Sequence, residues 1–387
     1  MKSVLSYRAL ALGLVVAATG LAACSDKVKL REPAKLQDID SPRLKVQHDW
    51  SQGIGEGSEG RPSGLRPLLE SDALYAAEMG GDVYALDPAT GHERWRSRTK
   101  AQVVAGPSVV GDLVLVGTLD AEVIALKRAD GSLVWRARAS SEVLAPPAGS
   151  GDVVVARSID GRTYGFSAAD GKRLWSFDRT EPNLTLRGLS APVVEGNRVL
   201  VGMDNGRLAA VRLDDGQTVW EQPISSPSGR TELERLTDID AALVSTLDGV
   251  LVASYGGDVA LVEPATGESR WRRIVKSYAG LAVGKDNVYV SDADGVVWAL
   301  DLATGAAAWK NESLKYRRLS PPAFFAGYAV VADFEGYVHF LDPRDGSLVA
   351  RSRAGSAPIL AAPAVSDERL YLLNVDGKLS ALKVKPR

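Results

Sequence analysis

Three features of this 387-residue chain predict an all-β fold closed into a ring. First, one pattern recurs with starts at residues 81, 121, 161, 206, 257, 295, 336 and 377, which are 40, 40, 45, 51, 38, 41 and 41 residues apart. A period near 40 indicates a propeller or a solenoid. Second, each copy alternates apolar side chains across a turn glycine, which is a strand signal and not a helical one. Third, the last copy stops before its final strand, while a matching strand stands unclaimed ahead of the first copy. Together they specify an eight-bladed β-propeller of four-stranded antiparallel blades, its ring closed by the N-terminal strand.

The copies read "GDVYALDPATGHERW" (81–95), "AEVIALKRADGSLVW" (121–135), "GRTYGFSAADGKRLW" (161–175) and "GRLAAVRLDDGQTVW" (206–220). They continue as "GDVALVEPATGESRW" (257–271), "GVVWALDLATGAAAW" (295–309), "GYVHFLDPRDGSLVA" (336–350) and "GKLSALKVKPR" (377–387). Within a copy, Val83 and Ala85 alternate with Tyr84 and Leu86, and Thr90-Gly91 separates that strand from the next. Glycine supplies the positive φ that such a tight turn requires. A second hairpin signal opens most copies, as at Asp160-Gly161, Asn205-Gly206 and Asp376-Gly377. Upstream again lies a β run such as "AGPSVVGDLVLVGT" (105–118). That makes about four strands per repeat, the content of one propeller blade.

Closure follows from the tryptophans. "RLKVQHDW" ends at Trp50, 45 residues before Trp95. Residues 44–51 are therefore expected to pair with 378–384, which leaves no exposed end to the ring. Trp50, Trp95, Trp135, Trp175, Trp220, Trp271 and Trp309 share one repeat position. Equal phase around a ring fits rings docked between blades better than ligand stacking. Repeat seven carries Ala350 there, so that junction is expected to be the weakest, and Trp298 is out of phase.

The domain plan is a signal peptide over 1–23, a flexible tether over 24–43 and the propeller over 44–387. Lys2 and Arg8 precede the apolar run 9–20, which is short for a membrane span and reads as a secretory signal. The stretch "LAAC" (21–24) resembles the lipobox of bacterial lipoproteins. That resemblance implies cleavage before Cys24, lipidation of its thiol and stable anchoring by more than one chain. Ser25 at the next position implies sorting to the outer membrane, on the periplasmic side. Cys24 is the single cysteine, so the propeller must hold without disulfides. "GIGEGSEG" (53–60) reads as a mobile connector.

Catalytic chemistry is thin. His48, His92 and His339 stand at no metal-ligand spacing from one another, and no P-loop, G-x-S-x-G elbow or H-E-x-x-H occurs. With 46 basic and 48 acidic residues the net charge is −2, which offers nucleic acid nothing. "YALDPATGHERW" and "WALDLATGAAAW" resemble the blade motif of pyrroloquinoline quinone dehydrogenases. That likeness implies the fold, but a quinone enzyme also wants a Ca²⁺ site, a catalytic Asp and often a Cys pair. With no Cys pair and no room for insertions, the reading is non-enzymatic and without cofactor or metal. A quinoprotein dehydrogenase and a polysaccharide- or peptidoglycan-binding lipoprotein are the alternatives weighed.

Two departures from the repeat remain. "DRTEPNLTLRGLSAP" (178–192) groups Leu184, Leu186 and Arg187. Aliphatics with an arginine form a plausible interface anchor, against buried leucines of an inner strand. "ISSPSGRTELERLTDIDAALV" (224–244) is the longest insertion; strand alternation would put Asp238 and Asp240 on one side, against a merely exposed acidic strand start. Lipobox, repeat type, "NLTLRG" and "LTDID" together resemble the BamB family of propeller lipoproteins in the outer-membrane β-barrel assembly machinery. The resemblance implies that Leu184, Leu186, Arg187, Asp238 and Asp240 contact the periplasmic POTRA domains of the barrel subunit BamA. It also implies other subunits of that complex, and possible nascent outer-membrane proteins, as partners.

Overall fold

The computed structural model describes residues 31–61, 63–179, 190–226, 230–231, 236–277 and 279–387. Every regular element among them is a β-strand, and the compact unit runs from Pro33 to Arg387. Eight antiparallel sheets follow one another. Blades one to seven span residues 68–98, 103–138, 148–177, 193–223, 244–274, 280–311 and 323–353, each running from inner to outer strand in chain order. Blade eight takes its three inner strands from residues 364–386 and its outer strand, Leu44–Gly53, from the other end of the chain. That strand pairs with Lys378–Pro386 from Leu44↔Pro386 to Gly53↔Lys378, each strand starting where the pattern predicts and running two residues further at its C-terminal end.

Glycine and tryptophan explain the blade junctions together. Each indole N–H of Trp50, Trp95, Trp135, Trp175, Trp220, Trp271 and Trp309 donates to a carbonyl in the outer turn of the following blade, at 2.8–3.2 Å. The glycine of that same turn lies against the ring. A Cβ added to Gly216 would stand 2.6 Å from Cε3 of Trp175, and Gly216 also holds φ +71. The turn thus requires glycine twice, for its left-handed backbone and for the ring.

Ala350 now has a reason. The blade that follows it has no outer turn, because that is where the chain's two ends meet. A tryptophan there would find no turn to cap. Instead Arg43 donates its backbone N–H to the Val349 carbonyl, its guanidinium pairs with buried Asp342, and Leu44 enters the core between blades seven and eight.

Two segments differ from expectation. The second half of the stretch assigned as a flexible tether lies on the propeller. The Ala34 N–H donates to the Lys315 carbonyl, Arg317 Nη1 to the Ala34 carbonyl and Arg351 Nη1 to the Gln37 carbonyl, and Leu36 packs against a core cluster. The glycine-rich "GIGEGSEG" is not a mobile connector. Ile54 is fully buried, its N–H bonded to the Gly377 carbonyl, and Ser58 donates to Val375. From there the chain turns inward, and Gly64–Leu65 pairs in parallel with the inner strand of blade two.

Candidate functional site

Both departures join the outer strand of one blade to the inner strand of the next, blade three to four and blade four to five. Their described ends therefore lie on the same face of the ring. Leu184, Leu186 and Arg187 lie outside the described residues, as does Cys24. The start of the first departure is fixed: Arg179 reaches back to Glu221 at 3.1 Å and to the Thr218 hydroxyl at 2.9 Å, both on blade four.

The second departure is anchored from inside. Leu236, Thr237, Asp238, Ile239 and Asp240 are all buried. Ile239 supplies the reason. It enters the core between blades four and five beside Ile224 and Leu243, and a Cβ on Gly202 would stand only 2.5 Å from its Cγ2. Its N–H donates to the Met203 carbonyl at 3.2 Å, and the Tyr255 N–H donates to the Asp238 carbonyl at 2.9 Å. This backbone belongs to no strand, so the alternation expected at Asp238 and Asp240 does not apply. Seating Ile239 carries the flanking carboxylates inward with it. Asp238 is 0% and Asp240 8% exposed, so neither is an exposed acidic strand start.

Beside them lies a buried ion pair that the pattern did not reveal. Arg157 Nη2 meets Asp204 Oδ1 at 2.6 Å, with both side chains under 5% exposed. Arg157 ends a strand of blade three and Asp204 follows one of blade four, so the pair ties the two blades together. The Asp240 carboxyl is pushed up to about 7, first by burial, then by the charges of Asp238 and Asp204, with Arg157 opposing. Near neutral pH this carboxyl is a proton donor for part of the time. No group of three or more His, Cys, Asp or Glu side chains among the described residues could hold a metal ion.

The histidines fall elsewhere. His92 is exposed beside its turn, and His48 lies 3.0 Å from the Arg353 carbonyl. His339 is fully buried, with Nε2 2.9 Å from Asp333, which also takes Arg317 at 2.7 Å. Burial holds the His339 imidazole below its ordinary range, against the pull of Asp333. This cluster sits under the docked tether through Arg317 and Arg351.

The family model for outer membrane protein assembly factor BamB matches residues 48–120, 79–311 and 313–386. The chain belongs to the BamB family. The BamB of Pseudomonas aeruginosa is 43% identical over 373 residues, covering 96% of this chain and 98% of that protein. The BamB of Alkalilimnicola ehrlichii is 44% identical over 364 residues, covering 94% of each. The solved BamB of Moraxella catarrhalis superimposes with a TM-score of 0.79 at 27% identity, over 88% of this chain and all of that one. These relatives are named assembly factors, not enzymes. The quinohemoprotein alcohol dehydrogenase of Comamonas testosteroni shares the fold alone, with a TM-score of 0.69 at 13% identity.

Proposed function

We propose that this BamB-family chain is a non-catalytic scaffold of the outer-membrane β-barrel assembly machinery. Cys24 carries lipid, and the propeller faces the periplasm from the inner leaflet of the outer membrane. The two departures on one ring face bind POTRA domains of the barrel subunit BamA, and so hold that subunit and its folding clients in register. Other subunits of the complex then gather around the same platform.

The observation that carries this reading is the anchoring of residues 236–240. An insertion of this length on a propeller is a partner-binding device only if its base is rigid. Here the base is seated by Ile239 and flanked by two buried carboxylates. Asp238 and Asp240 then act by positioning the loop, while Leu184, Leu186 and Arg187 are assigned the direct contact. A rigid base loses little conformational entropy on binding, which favours affinity.

The test is recovery of the membrane-anchored chain with its partners. The wild type should co-purify with the barrel subunit from outer-membrane fractions, and Ser25→Asp should move it to the inner membrane. Recovery without the barrel subunit would refute the scaffold reading. An unchanged location of Ser25→Asp would refute the sorting assignment.

A further inference from the structure

The middle of the ring is not filled. A cavity of about 370 Å³ is lined by residues of the inward-turning segment and by the starts of several inner strands. Ala191, Ala242, Ala279 and Ala361 on four blades keep it open. Its charge is one-sided. Arg61, Arg66 and Arg318 line it, and Asp240 is the acidic residue among its walls.

Arg66 is placed by its backbone. It follows the strand Gly64–Leu65, and its N–H donates to the Gly106 carbonyl at 3.2 Å. No hydrogen bond or ion pair to its guanidinium exists among the described residues, and its Nε is sealed from solvent without an acceptor. Burial works against its charge. Arg66 is half-buried and keeps its proton, so its charge is left to whatever occupies the cavity, solvent or an anion. Arg318 also lines the cavity, is exposed and holds φ +49. Arginine seldom adopts that left-handed backbone, and such strain persists where surrounding structure imposes it. Arg61 is engaged by Glu59 at 2.9 Å.

We propose that this cavity is a binding site for a compact oxyanion, a carboxylate or phosphate group, held by Arg66 and Arg318. The planar fork of arginine matches such groups with paired hydrogen bonds. The volume suits a small molecule. Asp240 makes the site pH-sensitive. Its carboxyl, faced by Asp238, Asp204 and Arg157, adds negative charge to the wall as pH rises through about 7. The wall therefore opposes an oxyanion more strongly at pH 8 than at pH 6.5. The site meets the bases of both partner loops, at Ala191, Asp240 and Ala242.

Isothermal titration of the purified chain with citrate and with inorganic phosphate tests this at low ionic strength. Saturable binding of at least one probe is expected, weakened at least about tenfold by Arg66→Gln and by Arg318→Gln. Arg66→Lys should weaken it less, and Asp240→Asn should bind more tightly than the wild type when the two are compared at pH 8, with a smaller difference at pH 6.5. Should Arg66→Gln melt early, exposed Arg318→Gln carries the test. No saturable heat with either probe would overturn the proposal. So would unchanged affinity in a folded arginine variant, which marks an adventitious surface ion. Binding of an acidic peptide with both small anions silent would overturn it too, in favour of a partner segment.

Discussion

The indole N–H of Trp175 donates to the Leu213 carbonyl of the next blade across 2.8 Å, beneath the turn that ends at Gly216. Gly216→Ala must strain the backbone and displace the ring at once. It should cost about 2–4 kcal/mol in denaturant unfolding, the sum of both effects. Gly151→Ala is the control, because Gly151 holds φ +57 with nothing within 4 Å of an added Cβ. It should cost only about 1 kcal/mol. Equal losses at the two positions would show that the ring contact contributes nothing.

Arg157 is the cation of a buried site with three carboxylates. Removing it leaves Asp204 with an uncompensated charge in a place that water does not reach. Arg157→Gln should destabilise the propeller by about 3–5 kcal/mol. Thermal or urea unfolding measures it, and a loss below about 1 kcal/mol, the size of a surface pair, would contradict the burial argument.

Asp240 predicts a pH dependence with a definite sign. Its folded pKa of about 7 lies above its ordinary value of 3.8, so the folded state holds more protons between those limits. Stability from this group therefore falls as pH rises from about 4 to about 7 and then levels. Asp240→Asn removes the penalty. The variant should gain stability on the order of a few kcal/mol at pH 8 and little at pH 4.5. An equal gain at both pH values would indicate a packing effect instead.

Arg351 holds the docked tether through the Gln37 carbonyl while facing His339 Nδ1 at 3.3 Å. Arg351→Gln should release residues 34–38 without unfolding the ring. Trypsin should then cleave after Lys35 faster than in the wild type, with an unchanged melting temperature. Unchanged cleavage would mean that the backbone bond from Ala34 and the packing of Leu36 suffice to hold it.

Much of this architecture was legible in the chain. The spacing of 45 residues between Trp50 and Trp95 fits one blade, so closure by the N-terminal strand could be read off the repeat. What stayed hidden rests on backbone contacts and on burial. Ile54 and Ser58 dock through main-chain bonds to Gly377 and Val375, which leave no mark on side-chain pattern. Asp238 and Asp240 looked like strand residues, but their backbone follows the seating of Ile239 instead. His339 sits in an alternating strand, and only the fold brings it beneath Arg317 and Arg351, with Asp333. Arg157 at the end of "VVVAR" was the one local hint, a charge closing an apolar strand.

The most direct test of the scaffold account is the affinity of the purified propeller for the periplasmic POTRA domains of the barrel subunit. Three proteins would be compared: wild type, Leu184→Ala/Arg187→Ala and Asp238→Asn/Asp240→Asn, each first shown to melt as a folded propeller. The account predicts saturable binding by the wild type, a loss of at least about tenfold in Leu184→Ala/Arg187→Ala, as for removal of interface anchors, and a smaller loss in the variant of the positioning pair. Folded variants that bind as tightly as the wild type would contradict it.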